Sequence, residues 1–144
     1  MVLGILDIYS TRPQQLPLMS VKRILVIDDE RNLCTVIQAC LENLGGWEVA
    51  TALSGSEGLS IAQTQQPDAI LLDVMMPDMD GVSLFRELQT NPATQAIPVI
   101  LLTAKVQSAD LDQFAQLGAA GVIAKPFDPL TLSEQVASTL GWQS

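Results

Sequence analysis

Histidine is absent from this chain of 144 residues, which removes the commonest general base and the commonest transition-metal ligand. What remains for chemistry is carboxylates, hydroxyls and ammonium groups, and five of them share a placement. Asp28 and Asp29 follow the apolar run Arg23-Ile24-Leu25-Val26-Ile27, and Asp73 follows Ile70-Leu71-Leu72. Thr103 follows the run 97–102, and Lys125 follows 121–124. Carboxylates favour hard cations such as magnesium or calcium. Two like charges 4 Å apart repel by about 4 kcal/mol at an effective dielectric of 20, so gathered acids demand a proton or a divalent cation. Magnesium suits such a set, because it takes a few carboxylates together with waters and a phosphate oxygen. With the ammonium of Lys125 and the hydroxyl of Thr103 added, the group reads as a phosphoryl site. Asp73 is then the nucleophile, a carboxylate able to form an aspartyl phosphate. Taken singly, each residue has a plainer use as a helix cap, a turn residue or a solvated lysine. Their common position at strand ends favours the joint reading.

The elements that must position them come from periodicity. The run 69–72 is bounded by turn residues and reads as a buried strand, although periodicity alone also allows a buried helix segment. Leu33, Val36, Ile37, Cys40, Leu41 and Leu44 recur at helical spacing and are closed by Gly45-Gly46. Residues 47–51 alternate as a short strand; Ser54 or Ser56 caps a small-residue helix to about Gln65, which Pro67 stops. A helix over 82–88 ends at Asn91-Pro92, the next strand is 97–102, and a polar helix over 109–117 closes at Gly118. The last strand is 121–124, and Asp128 caps a final helix that runs to Leu140 and stops at Gly141. The pattern is (βα) five times with near-continuous apolar strands, an α/β fold with helices on both faces of a doubly wound parallel sheet. The commonest order for five such strands is 2-1-3-4-5, flavodoxin-like, which sets strands one and three side by side at the switch point. Their carboxyl ends carry Asp28, Asp29 and Asp73.

Composition sets the outer limits. Hydrophobic residues make up 48% and charged residues 16%, a globular balance for one domain. Seven Lys+Arg against sixteen Asp+Glu give a net charge of −9, which leaves little for a nucleic-acid-binding patch. Cys34 and Cys40 fall on different faces of one predicted helix, so they read as two small apolar residues in a reducing compartment. No run approaches the roughly 18 apolar residues of a membrane span. Residues 1–8 are apolar but follow no basic residue, a poor signal peptide, so a cytoplasmic location is expected. Residues 1–20, with Pro13, Pro17, Gln14 and Gln15, form a linker-like N-terminal extension ahead of a domain over 21–144, and Met19 is a second possible start.

From about Val21 to Leu140 the chain resembles a response regulator receiver domain, the phosphoacceptor module of two-component signalling. The motifs are Asp28-Asp29, Leu72-Asp73-Val74-Met75-Met76-Pro77-Asp78-Met79-Asp80-Gly81, Thr103-Ala104 and Lys125-Pro126-Phe127. The resemblance implies that Asp73 is phosphorylated from a histidine kinase or histidine-phosphotransfer protein. It implies Mg2+ held directly by Asp29 and Asp73, through water by Asp28, and by the Met75 backbone carbonyl. Thr103 and Lys125 would contact the phosphoryl oxygens, with a cis bond before Pro126. Such a module catalyses only its own phosphorylation and dephosphorylation. The chain ends shortly after the last helix, so a stand-alone receiver acting on an unknown downstream protein or in a phosphorelay is expected, as a monomer or weak dimer.

There are departures. Val122 stands where the family often has Tyr or Phe, and Ala119-Ala120-Gly121 replaces the acidic residues that often precede it. The first removes the usual aromatic switch beside Thr103; the second weakens the case for a charge-paired dimer. Met75 and Lys105, two residues beyond Asp73 and Thr103, are poor at orienting a hydrolytic water, so slow self-dephosphorylation is expected. Two other readings compete. One is a pseudo-receiver that binds partners without phosphorylation. The other is a magnesium-dependent phosphohydrolase of the haloacid-dehalogenase type, suggested by Asp78-Met79-Asp80-Gly81 but with Met76-Pro77 where the acidic pair should directly follow a strand.

Overall fold

Alternate residues of the central strands point to opposite faces, and the two faces bury two separate cores. The computed structural model describes residues 21–76, 80–104 and 107–142. The proposed extension 1–20 therefore lies outside the described residues, as do Pro77, Asp78, Met79 and Lys105. The strands are β1 (Arg23–Ile27), β2 (Glu48–Ala52), β3 (Ala69–Asp73), β4 (Val99–Thr103) and β5 (Gly121–Ala124). The helices are α1 (Arg31–Asn43), α2 (Gly55–Gln65), α3 (Gly81–Thr90), α4 (Ser108–Gln116) and α5 (Leu132–Leu140). All four strand pairings are parallel, and the order is β2-β1-β3-β4-β5, the one expected for five doubly wound strands.

Ile24, Val26, Leu71, Ile100 and Leu102 face α1 and α5, where Ile37, Leu41, Leu132 and Val136 complete one core. Leu25, Ile27, Ile70, Leu72 and Leu101 face α2, α3 and α4, meeting Ala62, Leu84, Phe85, Leu88 and Phe114. Every residue of β3 and β4 is buried, whereas the edge strands β2 and β5 are largely half-exposed. Burial on both faces explains why β3 and β4 read as unbroken apolar runs rather than as alternation.

Local chemistry sets the helix ends. Ser54, not Ser56, caps α2: its hydroxyl accepts from the Glu57 amide at 3.2 Å, while the Glu57 carboxylate accepts from the Leu53 amide at 2.8 Å. This reciprocal arrangement satisfies donors that the first turn would leave orphaned. Asp80 caps α3, accepting from the Val82 amide at 3.1 Å. The expected cap of the final helix is corrected. α5 starts at Leu132 after Thr131, and Asp128 instead accepts from the Leu130 amide at 2.9 Å in a turn before the helix. An aspartate can hold a turn by bonding two residues ahead as readily as it can start a helix, and the proline at 129 occupies the intervening position. β4 likewise starts at Val99 rather than Ile97, because the Ile97 amide bonds back to Thr94 in a turn at 3.0 Å.

Candidate functional site

Strand register brings the predicted residues to one rim. Ile27 pairs with Leu72, so Asp28 and Asp73 leave neighbouring strands at the same height, and Thr103 pairs with Ala124, just before Lys125. The Lys125 amide donates to the Thr103 carbonyl at 2.9 Å, and the Lys125–Pro126 bond is cis, as expected. Asp28, Asp73 and Thr103 are buried; Asp29 is half-buried and Met75 is exposed.

The acidic triad is real in space. One carboxylate oxygen each from Asp28, Asp29 and Asp73 lies within 4.8 Å of the others. The Lys125 ammonium reaches into this cluster, 2.9 Å from Asp28 Oδ2 and 3.3 Å from Asp73 Oδ1. Backbone amides hold the carboxylates: Glu30 donates to Asp28 Oδ1 at 3.0 Å, and Met75 donates to Asp73 Oδ1 at 3.1 Å. Burial pushes the Asp73 carboxyl up from its ordinary value, against the lowering effect of the Met75 amide. Burial acts to lower the Lys125 ammonium, but its hydrogen bond to Asp28 and the charges of Asp28 and Asp73 outweigh it and hold the group above its ordinary value.

Three charged carboxylates against one ammonium leave two negative charges in a small volume. The donors are all hard oxygens, so the set suits a divalent hard cation. Asp80, by contrast, is exposed, lies outside the triad and is used as a helix cap, which removes half of the paired-aspartate motif that a phosphohydrolase reading would need.

Some parts of the site were not evident from sequence. Gly81 packs against the end of β3: a Cβ there would stand 2.6 Å from the Asp73 carbonyl oxygen and 2.6 Å from the Val74 Cα. A side chain at that position would push α3 away from the rim. Cys34, expected only as a small apolar residue, also donates from its thiol to the Asp28 carbonyl at 3.3 Å, and burial raises its pKa to about 11. The direct pairing of Lys125 with Asp28 was also unforeseen; the only hint was that both stand at strand ends. An apolar cleft of about 440 Å3 borders the site, lined by Leu33, Val36, Ala104, Lys125, Phe127 and Pro129 among others. Val122, at the position of the expected aromatic, is half-buried against the α2–α3–α4 core.

Comparison with known proteins agrees with this geometry. Residues 24–137 match the response regulator receiver domain family. The alkaline phosphatase synthesis transcriptional regulatory protein PhoP of Bacillus subtilis is 39% identical over 119 residues, covering 83% of this chain and 48% of that protein. Response regulator PleD of Caulobacter vibrioides is 41% identical over 116 residues, 81% of this chain and 25% of that protein. The chain thus spans half or less of the length of these relatives. Among solved structures, chemotaxis response regulator CheY4 of Vibrio cholerae superposes with a TM-score of 0.77 at 28% identity, covering 83% of this chain and 99% of that one. The signal receiver domain of a signal transduction histidine kinase from Syntrophus aciditrophicus gives 0.72 at 31% identity, covering 84% and 91%. In sequence, strand order and the make-up of its acidic rim, this chain belongs to the response regulator receiver domain family of two-component signalling.

Proposed function

We propose that Asp73 accepts a phosphoryl group from a phosphohistidine of a histidine kinase or histidine-phosphotransfer protein. The observation that carries this reading is the reach of one lysine ammonium to both buried members, Asp28 and Asp73, of an acidic triad. A carboxylate oxygen of Asp73 attacks phosphorus, the bond from phosphorus to the donor's ring nitrogen breaks, and the imidazole leaves with that electron pair. Lys125 moves from a carboxylate to the arriving phosphoryl oxygens, and the Thr103 hydroxyl donates to another. Asp29, Asp73 and the Met75 carbonyl would hold Mg2+ directly, with Asp28 acting through water. The ion would supply charge neutralisation for the carboxylates and the phosphoryl oxygens. The chain then alters its partner surface or passes the group on, and its only catalysis is of its own phosphorylation and dephosphorylation.

The reading extends to the setting. Residues 21–144 form the working unit, with 1–20 as an appended segment. No described helix is long and apolar enough to cross a membrane, and a cytoplasmic module facing a kinase fits that. The cleft beside Lys125 offers an apolar landing for a donor, next to a site of net negative charge that favours a basic rim on the partner.

The test is phosphotransfer profiling. Purified kinases and phosphotransfer proteins carrying labelled phosphohistidine are mixed with the chain in magnesium, and label is followed onto it. Rapid transfer from at least one donor is expected, with no steady turnover of small phosphate esters. Steady ester hydrolysis would favour the phosphohydrolase, and no labelling from any phosphohistidine or from acetyl phosphate would favour the pseudo-receiver.

A further inference from the structure

We infer that Met75 is an oxidation site through which peroxide shortens the life of the aspartyl phosphate, an inference that rests on the phosphoacceptor reading of Asp73. Two methionines lie side by side after β3 and differ sharply in access. Met76 is 6% exposed and belongs to the core, whereas Met75 is 59% exposed. The root of the Met75 side chain is fixed close to the acceptor. Its amide donates to Asp73 Oδ1 at 3.1 Å, and Met75 pairs with Asp80 in an antiparallel bridge that ties the two ends of the loop. The residue lines an open cleft of about 550 Å3 with Val74, Met76 and Asp80, which gives a small oxidant room to reach the sulfur.

The chemistry is simple. The Met75 sulfur uses a lone pair to attack the outer oxygen of hydrogen peroxide. The oxygen–oxygen bond breaks, a sulfur–oxygen bond forms, and the departing oxygen leaves as water after a proton shift; sulfur gives up two electrons and the peroxide takes them. A flexible apolar arm becomes a polar one with a strong acceptor at its tip. Beside an aspartyl phosphate, the thioether form offers too weak an acceptor to orient a water. The sulfoxide can accept a hydrogen bond from a water approaching the phosphorus. One such positioning bond of about 1 kcal/mol corresponds to roughly fivefold in rate.

The whole chain, labelled with acetyl phosphate in magnesium, is divided and treated with dilute hydrogen peroxide or left untreated. Thiol reductant is then added to both portions, so that cysteine oxidation is reversed and sulfoxide is not. Peptide mass spectrometry reads the oxidation of each methionine, and intact mass reads the loss of phosphoryl with time. We expect Met75 to oxidise well ahead of Met76 and the phosphoryl half-life to fall about fivefold. Methionine sulfoxide reductase should restore the half-life, and Met75→Leu, which has no sulfur there, should lose phosphoryl at one rate with or without peroxide. An unchanged half-life at full Met75 oxidation would overturn the inference. So would the same shortening in Met75→Leu, or equal oxidation of Met75 and Met76. Failure to label at all would instead strike the phosphoacceptor reading.

Discussion

The two sides of the sheet's carboxyl rim are built differently. At β1 and β3 the strands are buried, two of the three carboxylates are almost out of solvent, and backbone amides and a lysine fix their oxygens. At α4 and β5 the packing is thin. Phe114 is the one buried residue of α4, while α1 buries three and α3 buries four. β5 has one buried residue of four, against five of five in β3. The contrast has a physical consequence. A site that must hold like charges close together needs a rigid frame to resist their repulsion. The proposed function also calls for a surface able to change when a phosphoryl group arrives, and elements with little packing to lose suit that. The lysine that closes the acidic site is carried at the tip of β5, so the thinly packed side is tied to the acidic cluster through the two ion pairs of one ammonium.

Core truncation should separate the two sides most strongly. Leu71→Ala, at the centre of β3, is expected to cost about 2–5 kcal/mol, while Leu111→Ala on α4 should stay within about 0.5 kcal/mol. Urea denaturation midpoints measure both; similar losses would mean that α4 is packed as firmly as the centre. Asp29→Asn comes next. It removes one charge from the triad without emptying the core, and is expected to weaken magnesium binding and slow acetyl phosphate labelling by roughly tenfold. Isothermal titration calorimetry with magnesium reads the first effect, and intact mass the second. Unaltered affinity would mean that Asp29 is only a neighbour of the site.

Smaller effects should still report the asymmetry. Amide hydrogens of α4 should exchange before those of α1 and α3, because one buried side chain protects little of a helix; mass-resolved exchange showing α4 last would contradict the comparison. The two thiols probe the centre directly. Cys40 is half-buried, whereas Cys34 is 3% exposed, bonded to the Asp28 carbonyl and kept protonated near neutral pH by a pKa of about 11. At pH 8, alkylation should therefore mark Cys40 first and reach Cys34 only as the domain opens. Equal rates would mean that the floor of the acidic site opens as easily as its outside.

Most of this architecture was legible in the sequence for identifiable reasons. The strands β3 and β4 are buried on both faces, so they spell themselves as continuous apolar runs, and Asp73 and Thr103 mark their ends. Right-handed crossovers left one common strand order, and that order alone put Asp28 beside Asp73. What was not legible depends on how distant pieces meet. Lys125 and Asp28 are 97 residues apart, and only the completed sheet tells which carboxylate the ammonium meets first. The tight approach of Gly81 to the Asp73 carbonyl is a property of helix placement, not of the Asp-Gly pair. Asp128 was misplaced as a helix cap because the same side chain serves a turn equally well, and the choice fell to the backbone around Pro129.

The phosphoacceptor role proposed for Asp73 is reached most directly by a labelling measurement. Wild type and Asp73→Asn are incubated with acetyl phosphate and magnesium, and their intact masses are recorded. The wild type should gain one phosphoryl group, and should lose that gain when the metal is chelated beforehand. Asp73→Asn should gain none while keeping its fold by circular dichroism. Full labelling of Asp73→Asn, or a wild type that never labels under the same conditions, would contradict the account.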